Sequence, residues 1–369
     1  MTQTVETVVV GGGAMGSAAA WNLARRGREV VLLERFSPGH KNGASHGASR
    51  NFSTGYTDPT YNAMITEARK LWRELEDASG TEILSIVGTV NHGLIDLSGN
   101  DWLRAHDVPV DMLSAAEAQE RWPGIRFETE VQFMPEGGRV NADAAVTAMQ
   151  QQVVALGGVV EHDSPVSSIS VLGDGRVEIV TPGETYLATT VVVTVGAWTS
   201  KLLGGVVETP RLVVTQEQPA HFRQLDEGMP WPSFNHAPLP EGDTYDYWYT
   251  GVYGMQTPGE GIKAGWHGVG PVMDPDARTF AAEPVQFAAL QRYARDWLPG
   301  ADWEDATLIS CTYTTSPDSN FVLDKRGPIV VGAGFSGHGF KFTPSIGRIL
   351  ADLVDGAATP APMFSLAPR

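Results

Sequence analysis

Apolar positions along the chain switch repeatedly between the period of a strand and that of a helix. Residues 7–10 are a short apolar run of strand type, 11–16 a glycine turn, 14–26 a helix-like stretch and 29–33 a second strand; together they predict one βαβ unit. In 59–78, Met64, Ile65, Ala68, Leu71, Trp72 and Leu75 recur at helical spacing, so one face of that helix enters the core. Short strands and turns follow over 83–97. Ser114 and Glu117 form a capping box for a short helix that stops near Pro123, and 142–156 predict another helix closed by Gly157 and Gly158. Residues 159–195 are rich in β-branched side chains and end in ATTVVVTVGAW, the pattern of a buried strand returning to the first sheet before a helix-like 198–203. From 211 to 268 the texture changes. Trp231, Phe234, Tyr245, Tyr247, Trp248, Tyr249, Tyr253 and Trp266 alternate with proline and glycine, predicting an antiparallel sheet that lines a binding space. The end of the chain returns to α/β character, with a strand at 328–332, a glycine turn through Gly339 and a helix over 344–353. The alternation predicts an α/β (α+β) protein of two domains, the first assembled from separated segments: 1–82, 140–210 and 300–369 against 83–139 and 211–299.

The glycine turn GGGAMG contains G-x-G-x-x-G as Gly11, Gly13 and Gly16, and Glu34 follows at the end of the second strand. Glycines let the backbone approach a pyrophosphate, the helix N-terminus faces its charge, and the acid accepts hydrogen bonds from a ribose hydroxyl. This context points to a dinucleotide, and the glutamate disfavours one that carries a ribose phosphate. The 43 acidic residues outnumber the 26 basic ones, for a formal charge of −17, which argues against nucleic acid or an anionic membrane as partner. A single cysteine, Cys311, excludes an intramolecular disulfide and a thiolate metal cluster, so no metal is expected and a reducing, cytoplasmic setting is. The apolar stretch 8–23 lacks a positive flank and is rich in glycine, so it reads as the βαβ unit rather than an export signal.

Four further segments could carry chemistry. In GIKAGWHG, residues 261–268, strand alternation would place Lys263, Gly265 and His267 on one face; a charged ligand or a wet edge strand would explain them. Cys311 and Tyr313 share a face in SCTYTTSPD, where the thiol is either functional or buried and inert. In GAGFSGHGFKF, residues 332–342, the glycines, Gly337 and Gly339 among them, permit close approach to a flat or charged ligand, and Lys341 stands just before a helix; a plain connection is the alternative. In NGASHGASR, residues 42–50, small residues such as Ser45 surround His46 and Arg50, fitting a cofactor contact or a solvated loop.

Taken together with VVVGGGAMGSAAAWNLARRG near the start, these segments resemble, in order and spacing over nearly the whole chain, the monomeric sarcosine oxidase and N-methyltryptophan oxidase family of flavin amine oxidases, within the glycine-oxidase-like DAO superfamily. The resemblance implies a Rossmann-like FAD-binding domain and a substrate domain with a mainly antiparallel sheet. It implies that Gly11, Gly13, Gly16 and Glu34 hold the ADP half of FAD, with Ser45, His46, Arg50, Gly337, Gly339 and Lys341 as further cofactor contacts and Cys311 as the covalent attachment point. Lys263 matches the lysine that serves dioxygen, and Lys341 the one that pairs with a substrate carboxylate. His267, Tyr313 and Arg50 match active-site positions, and Tyr253 is expected beside the substrate. The implied partners are a small amine and dioxygen, acting on a monomer. One departure stands out: the family's sarcosine oxidases have R-I-I-R where this chain has R-N-F-S, with Ser53 in place of the second arginine. Losing one charge-assisted contact removes roughly 1.5–3 kcal/mol of carboxylate binding, which puts sarcosine itself in doubt and favours another secondary or tertiary amine, an N-methyl or cyclic amino acid. The rival expectations are a flavin dehydrogenase with a different electron acceptor and a non-catalytic redox module.

Overall fold

The computed structural model describes residues 1–238 and 246–367, so Tyr245 lies outside the described residues. The strand Thr2–Val10 pairs in parallel with Val30–Leu33 on one side and Thr185–Val193 on the other. Val159–Glu161 and Ile329–Ala333 extend the parallel run at its two ends. Val322–Arg326 adds an antiparallel edge, and the hairpin of Ser168–Val171 and Val177–Val180 pairs with the first half of Thr185–Val193. Parallel strands covered on both faces need continuous apolar runs, and accordingly Val8, Val9 and Val10 are buried together, as are Val191, Val192 and Val193. The helices Ala14–Arg25, Pro59–Ser79, Ala142–Ala155 and Thr343–Asp355 share one core that includes Trp21, Trp72, Met149 and Leu350. Asp58 accepts from the amides of Thr60 and Tyr61 to start the helix Pro59–Ser79, and left-handed Gly80 ends it. The capping box of Ser114 and Glu117 is present on the helix Ala115–Arg121.

A second sheet runs in the order Ala301–Leu308, Ala220–Gln224, Gly261–Trp266, Val252–Thr257, Ser233–Ala237, Thr89–Gly93, Val131–Met134, Asp111–Leu113. Its pairs are antiparallel except Ser233–Ala237 beside Thr89–Gly93, which makes the sheet mixed. Its outermost strand, Ala301–Leu308, comes from the segment assigned on sequence to the cofactor domain. The helix Pro284–Trp297, which the sequence pattern left unassigned, covers one face and buries Leu290, Tyr293 and Trp297 against Phe234, Ile262, Ala264 and Trp266. Here the expectation for the aromatic stretch is corrected. Trp231, Phe234 and Trp266 are core residues on the helix side, with Tyr247 and Trp248 packed against them, and among the described residues of the named aromatics only Tyr253 lines the cavity on the opposite face. The cause is strand alternation: Val252 and Trp266 point to the helix, and Tyr253 and Lys263 away from it. No described helix is long and apolar enough to cross a membrane.

Candidate active site

Between the two sheets lies a cavity of about 1620 Å³. One end is built on the glycine turn. Gly11 has a φ of +100°, and a Cβ there would sit 2.6 Å from the Thr194 carbonyl oxygen. Gly16 lies off the cavity wall; its missing Cβ, which would fall 1.8 Å from the Gly11 carbonyl oxygen, lets the turn fold back on the helix. Gly13 is the N-cap of the helix Ala14–Arg25, and the amide of Ala14 donates to Ser45 Oγ at 2.9 Å. Buried Glu34 accepts from the amides of Gly12 at 2.6 Å and Phe36 at 3.0 Å, with His40 3.4 Å away. Burial alone would raise its pKa, but His40 and these amides together hold it below the usual carboxylate range.

The other end gathers the scarce cations. Lys263, only 6% exposed, donates from Nζ to the Ser49 carbonyl at 3.3 Å; burial, with the Arg50 charge second, lowers its pKa to about 7. Lys341 donates to Tyr56 Oη at 3.0 Å and to the His338 carbonyl at 3.1 Å, and burial lowers it to about 8. Tyr313 Oη lies 3.3 Å from His267 Nδ1. Burial raises the phenols of Tyr313 and Tyr253, whereas His267 is lowered by desolvation and then by the Lys341 charge. A Cβ on Gly337, whose φ is +76°, would meet the Tyr313 ring at 2.2 Å, so this glycine makes room for the phenol. Arg50 donates to the carbonyls of Ala44, His46 and Ser49, tying the loop closed, and its Nη2 is 4.0 Å from Cys311 Sγ.

The structure therefore brings Gly11, Gly13, Glu34, Ser45, Arg50, Tyr253, Lys263, His267, Cys311, Tyr313, Gly337, Gly339 and Lys341 to one wall, together with Ser53. His46 is not part of that wall: its ring is buried behind the loop against the Ser310 backbone, and its carbonyl accepts from Arg50. Sequence reasoning missed Tyr56 and His338, the immediate partners of Lys341. It also missed a row of amides that the sheet register assembles: Asn51 donates to Asn235 at 3.1 Å, Asn235 to Asn91 at 2.7 Å, Asn91 to Gln132 at 2.7 Å, and Gln132 to Asn100. Asn235 stands opposite Tyr253 and beside Asn91, so the row leads away from the lysine cluster along the cavity.

The DAO family model, described as FAD dependent oxidoreductase, matches residues 6–353. The chain belongs to this family. A monomeric sarcosine oxidase of Bacillus sp. (strain NS-129) is 32% identical over 375 residues, covering 97% of this chain and 95% of that protein. An N-methyl-L-tryptophan oxidase of Yersinia pestis (strain Pestoides F) is 28% identical over 378 residues, covering 98% of each. Among solved structures, the open form of NikD, an unusual amino acid oxidase essential for nikkomycin biosynthesis, superposes with a TM-score of 0.86 at 27% identity, covering 99% of this chain and 98% of that one. The DAO cofactor fits the residues present. The cavity exceeds the ~300–1,000 Å³ of an ordinary small-molecule site. It runs unbroken from the glycine turn and Glu34 to Cys311, and the turn's close approaches leave no room for side chains.

Proposed function

We propose that this DAO-family protein oxidises a secondary or tertiary amine, an N-methyl or cyclic amino acid, to an imine that hydrolyses, with dioxygen reduced to hydrogen peroxide. The observation that carries the proposal is the convergence of Lys263, Lys341, His267 and Tyr313 with the sole cysteine at the end of the cavity opposite the dinucleotide motif. Bound FAD supplies the redox chemistry, taking two electrons from the carbon–nitrogen unit. Gly11, Gly13, Glu34 and Ser45 would hold its ADP half, and Cys311 would be its covalent attachment point beside Arg50.

Lys341 would capture the substrate carboxylate. Tyr56 and His338 hold its Nζ in place, and with a pKa of about 8 it is charged at neutral pH. The neutral His267 ring places no cation beside the amine, and its contact with Tyr313 orients both side chains toward the substrate. Lys263 puts a positive charge where negative charge develops as dioxygen is reduced, and in a dry site that charge is worth far more than in water. One chain contains every residue named, so a monomer is the proposed working unit.

The test is a screen of N-methyl and cyclic amino acids for anaerobic flavin bleaching, followed by a peroxide assay on admitting air. Peroxide formed in step with oxygen consumed supports the proposal. Bleaching without peroxide assigns a dehydrogenase, and no bleaching by any amine assigns a non-catalytic flavoprotein.

A further inference from the structure

A line of polar side chains in contact joins the surface to the Lys263 end of the cavity. Its outer member is Glu260, 45% exposed in the turn between the strands Val252–Thr257 and Gly261–Trp266; Glu260 Oε2 lies 3.2 Å from His221 Nδ1. His221 Nε2 is 3.1 Å from Thr257 Oγ1, which is 2.6 Å from Ser49 Oγ. Ser49 lines the cavity, and its own carbonyl accepts from Lys263 Nζ. His221 is 4% exposed and Thr257 and Ser49 are each 1% exposed, so solvent reaches the line only at Glu260. The sheet builds the arrangement: His221 is the register partner of Lys263, so the two side chains emerge on the same face.

The chemistry of each member suits proton transfer. Burial first, then the charges of Lys263 and Arg50, lower the His221 pKa to about 3, so the ring rests neutral with one protonated and one bare nitrogen. The Thr257 and Ser49 hydroxyls each carry one rotatable proton and two lone pairs.

We propose that Glu260, His221, Thr257 and Ser49 form a proton relay that feeds the reduction of dioxygen beside Lys263. The inference rests on the proposed use of dioxygen as acceptor. Conversion of O2 to H2O2 takes two electrons, drawn from the amine through FAD, and two protons; one comes from the oxidised amine and the relay brings the other. Glu260 takes a proton from water and passes it to His221 Nδ1. Nε2 releases a proton to Thr257, Thr257 to Ser49, and Ser49 to the reduced oxygen. Only N–H and O–H bonds change, and hydroxyl rotation with tautomer exchange resets the line.

The test uses the holoenzyme with Thr257→Val, which removes one hydroxyl from the middle, and Glu260→Gln at the exposed end, where folding is not at risk. Reoxidation of the amine-reduced protein by dioxygen slows roughly 10–100-fold in Thr257→Val, with a larger solvent deuterium isotope effect, while anaerobic bleaching keeps the parent rate. A readout that needs no turnover is hydrogen exchange at the His221 ring N–H in the resting oxidised holoenzyme, followed by nitrogen NMR, which slows in both variants because each removes a proton-carrying partner of one ring nitrogen. Parent-like reoxidation and exchange in both variants overturn the relay. A parent protein that bleaches but takes up no dioxygen overturns the acceptor and this assignment with it, an outcome separated from failure of the relay alone by the missing oxygen uptake.

Discussion

Lys263 and Lys341 are two of six lysines in the chain, and both lie in the cavity wall with lowered pKa values. In the proposed reaction the Lys263 cation is the form that would serve dioxygen. It is present below pH 7 and lost above, so the rate of reoxidation falls as pH rises through about 7. Lys263→Met slows reoxidation on the order of 100-fold or more and leaves anaerobic bleaching nearly unchanged; stopped-flow measurement of both halves checks this, and equal slowing of both would sink the assigned role. The same residue costs stability. Its folded pKa lies below the unfolded value of about 10.4, so between the two the unfolded chain holds the extra proton. The penalty is therefore fully present below pH 7 and vanishes as pH rises past the unfolded value. Cys311 yields a second prediction at this scale: the parent pellet stays yellow after acid precipitation, whereas Cys311→Ala releases its flavin to the supernatant. A colourless parent pellet would remove the covalent link.

At the scale of elements, helices and turns with local signals were legible. The helix expected over 59–78 is Pro59–Ser79, because its apolar stripe and its cap at Asp58 are both written locally. The helix Pro284–Trp297 was missed although Glu283 caps it from Pro284 onward; that acid–proline start was the available signal. The aromatic stretch was misplaced because alternation says that two faces differ, not which one meets the core. The glycine turn before Lys341 bears a prediction of its own. Gly337→Ala puts a side chain at positive φ against the Tyr313 ring, costs about 1–3 kcal/mol in thermal unfolding, and raises KM by displacing the phenol from His267. The amide row bears another. Asn235→Leu leaves the amides of Asn51 and Asn91 without their partner, costing about 1–3 kcal/mol. If the row positions substrate, that cost appears in KM, with reoxidation by dioxygen unchanged; unchanged KM would confine the row to stability.

For the whole molecule, the cavity wall is assembled from both sheets, so FAD held there, as proposed, would bridge them. A ligand that binds only the folded chain stabilises it by about 3–4 kcal/mol at 100–1,000 times its Kd. Flavin-free Cys311→Ala protein accordingly melts lower than the same protein with FAD, and its Tm climbs with added FAD; a flat Tm would show that the folded chain does not bind free FAD. The formal charge of −17 repels anions at a distance, so in the proposed reaction carboxylate capture would fall to the local cations at one cavity end, Lys341 foremost. With Ser53 where an arginine was expected, Tyr56 and His338 matter because they hold that one ammonium in place. By itself the sequence determined the βαβ start, the dinucleotide motif, the mixed α/β class and the residue types that line the cavity, because glycine turns, caps and apolar periods act over a few neighbours. Only the tertiary structure decided that Tyr253 rather than Trp231, Trp248 or Trp266 faces the cavity, that His46 turns away, that Asn235 meets Asn91, and that His221 backs onto Lys263. Those outcomes depend on which strands pair and in what register, and register is set by burial summed over segments far apart in the chain.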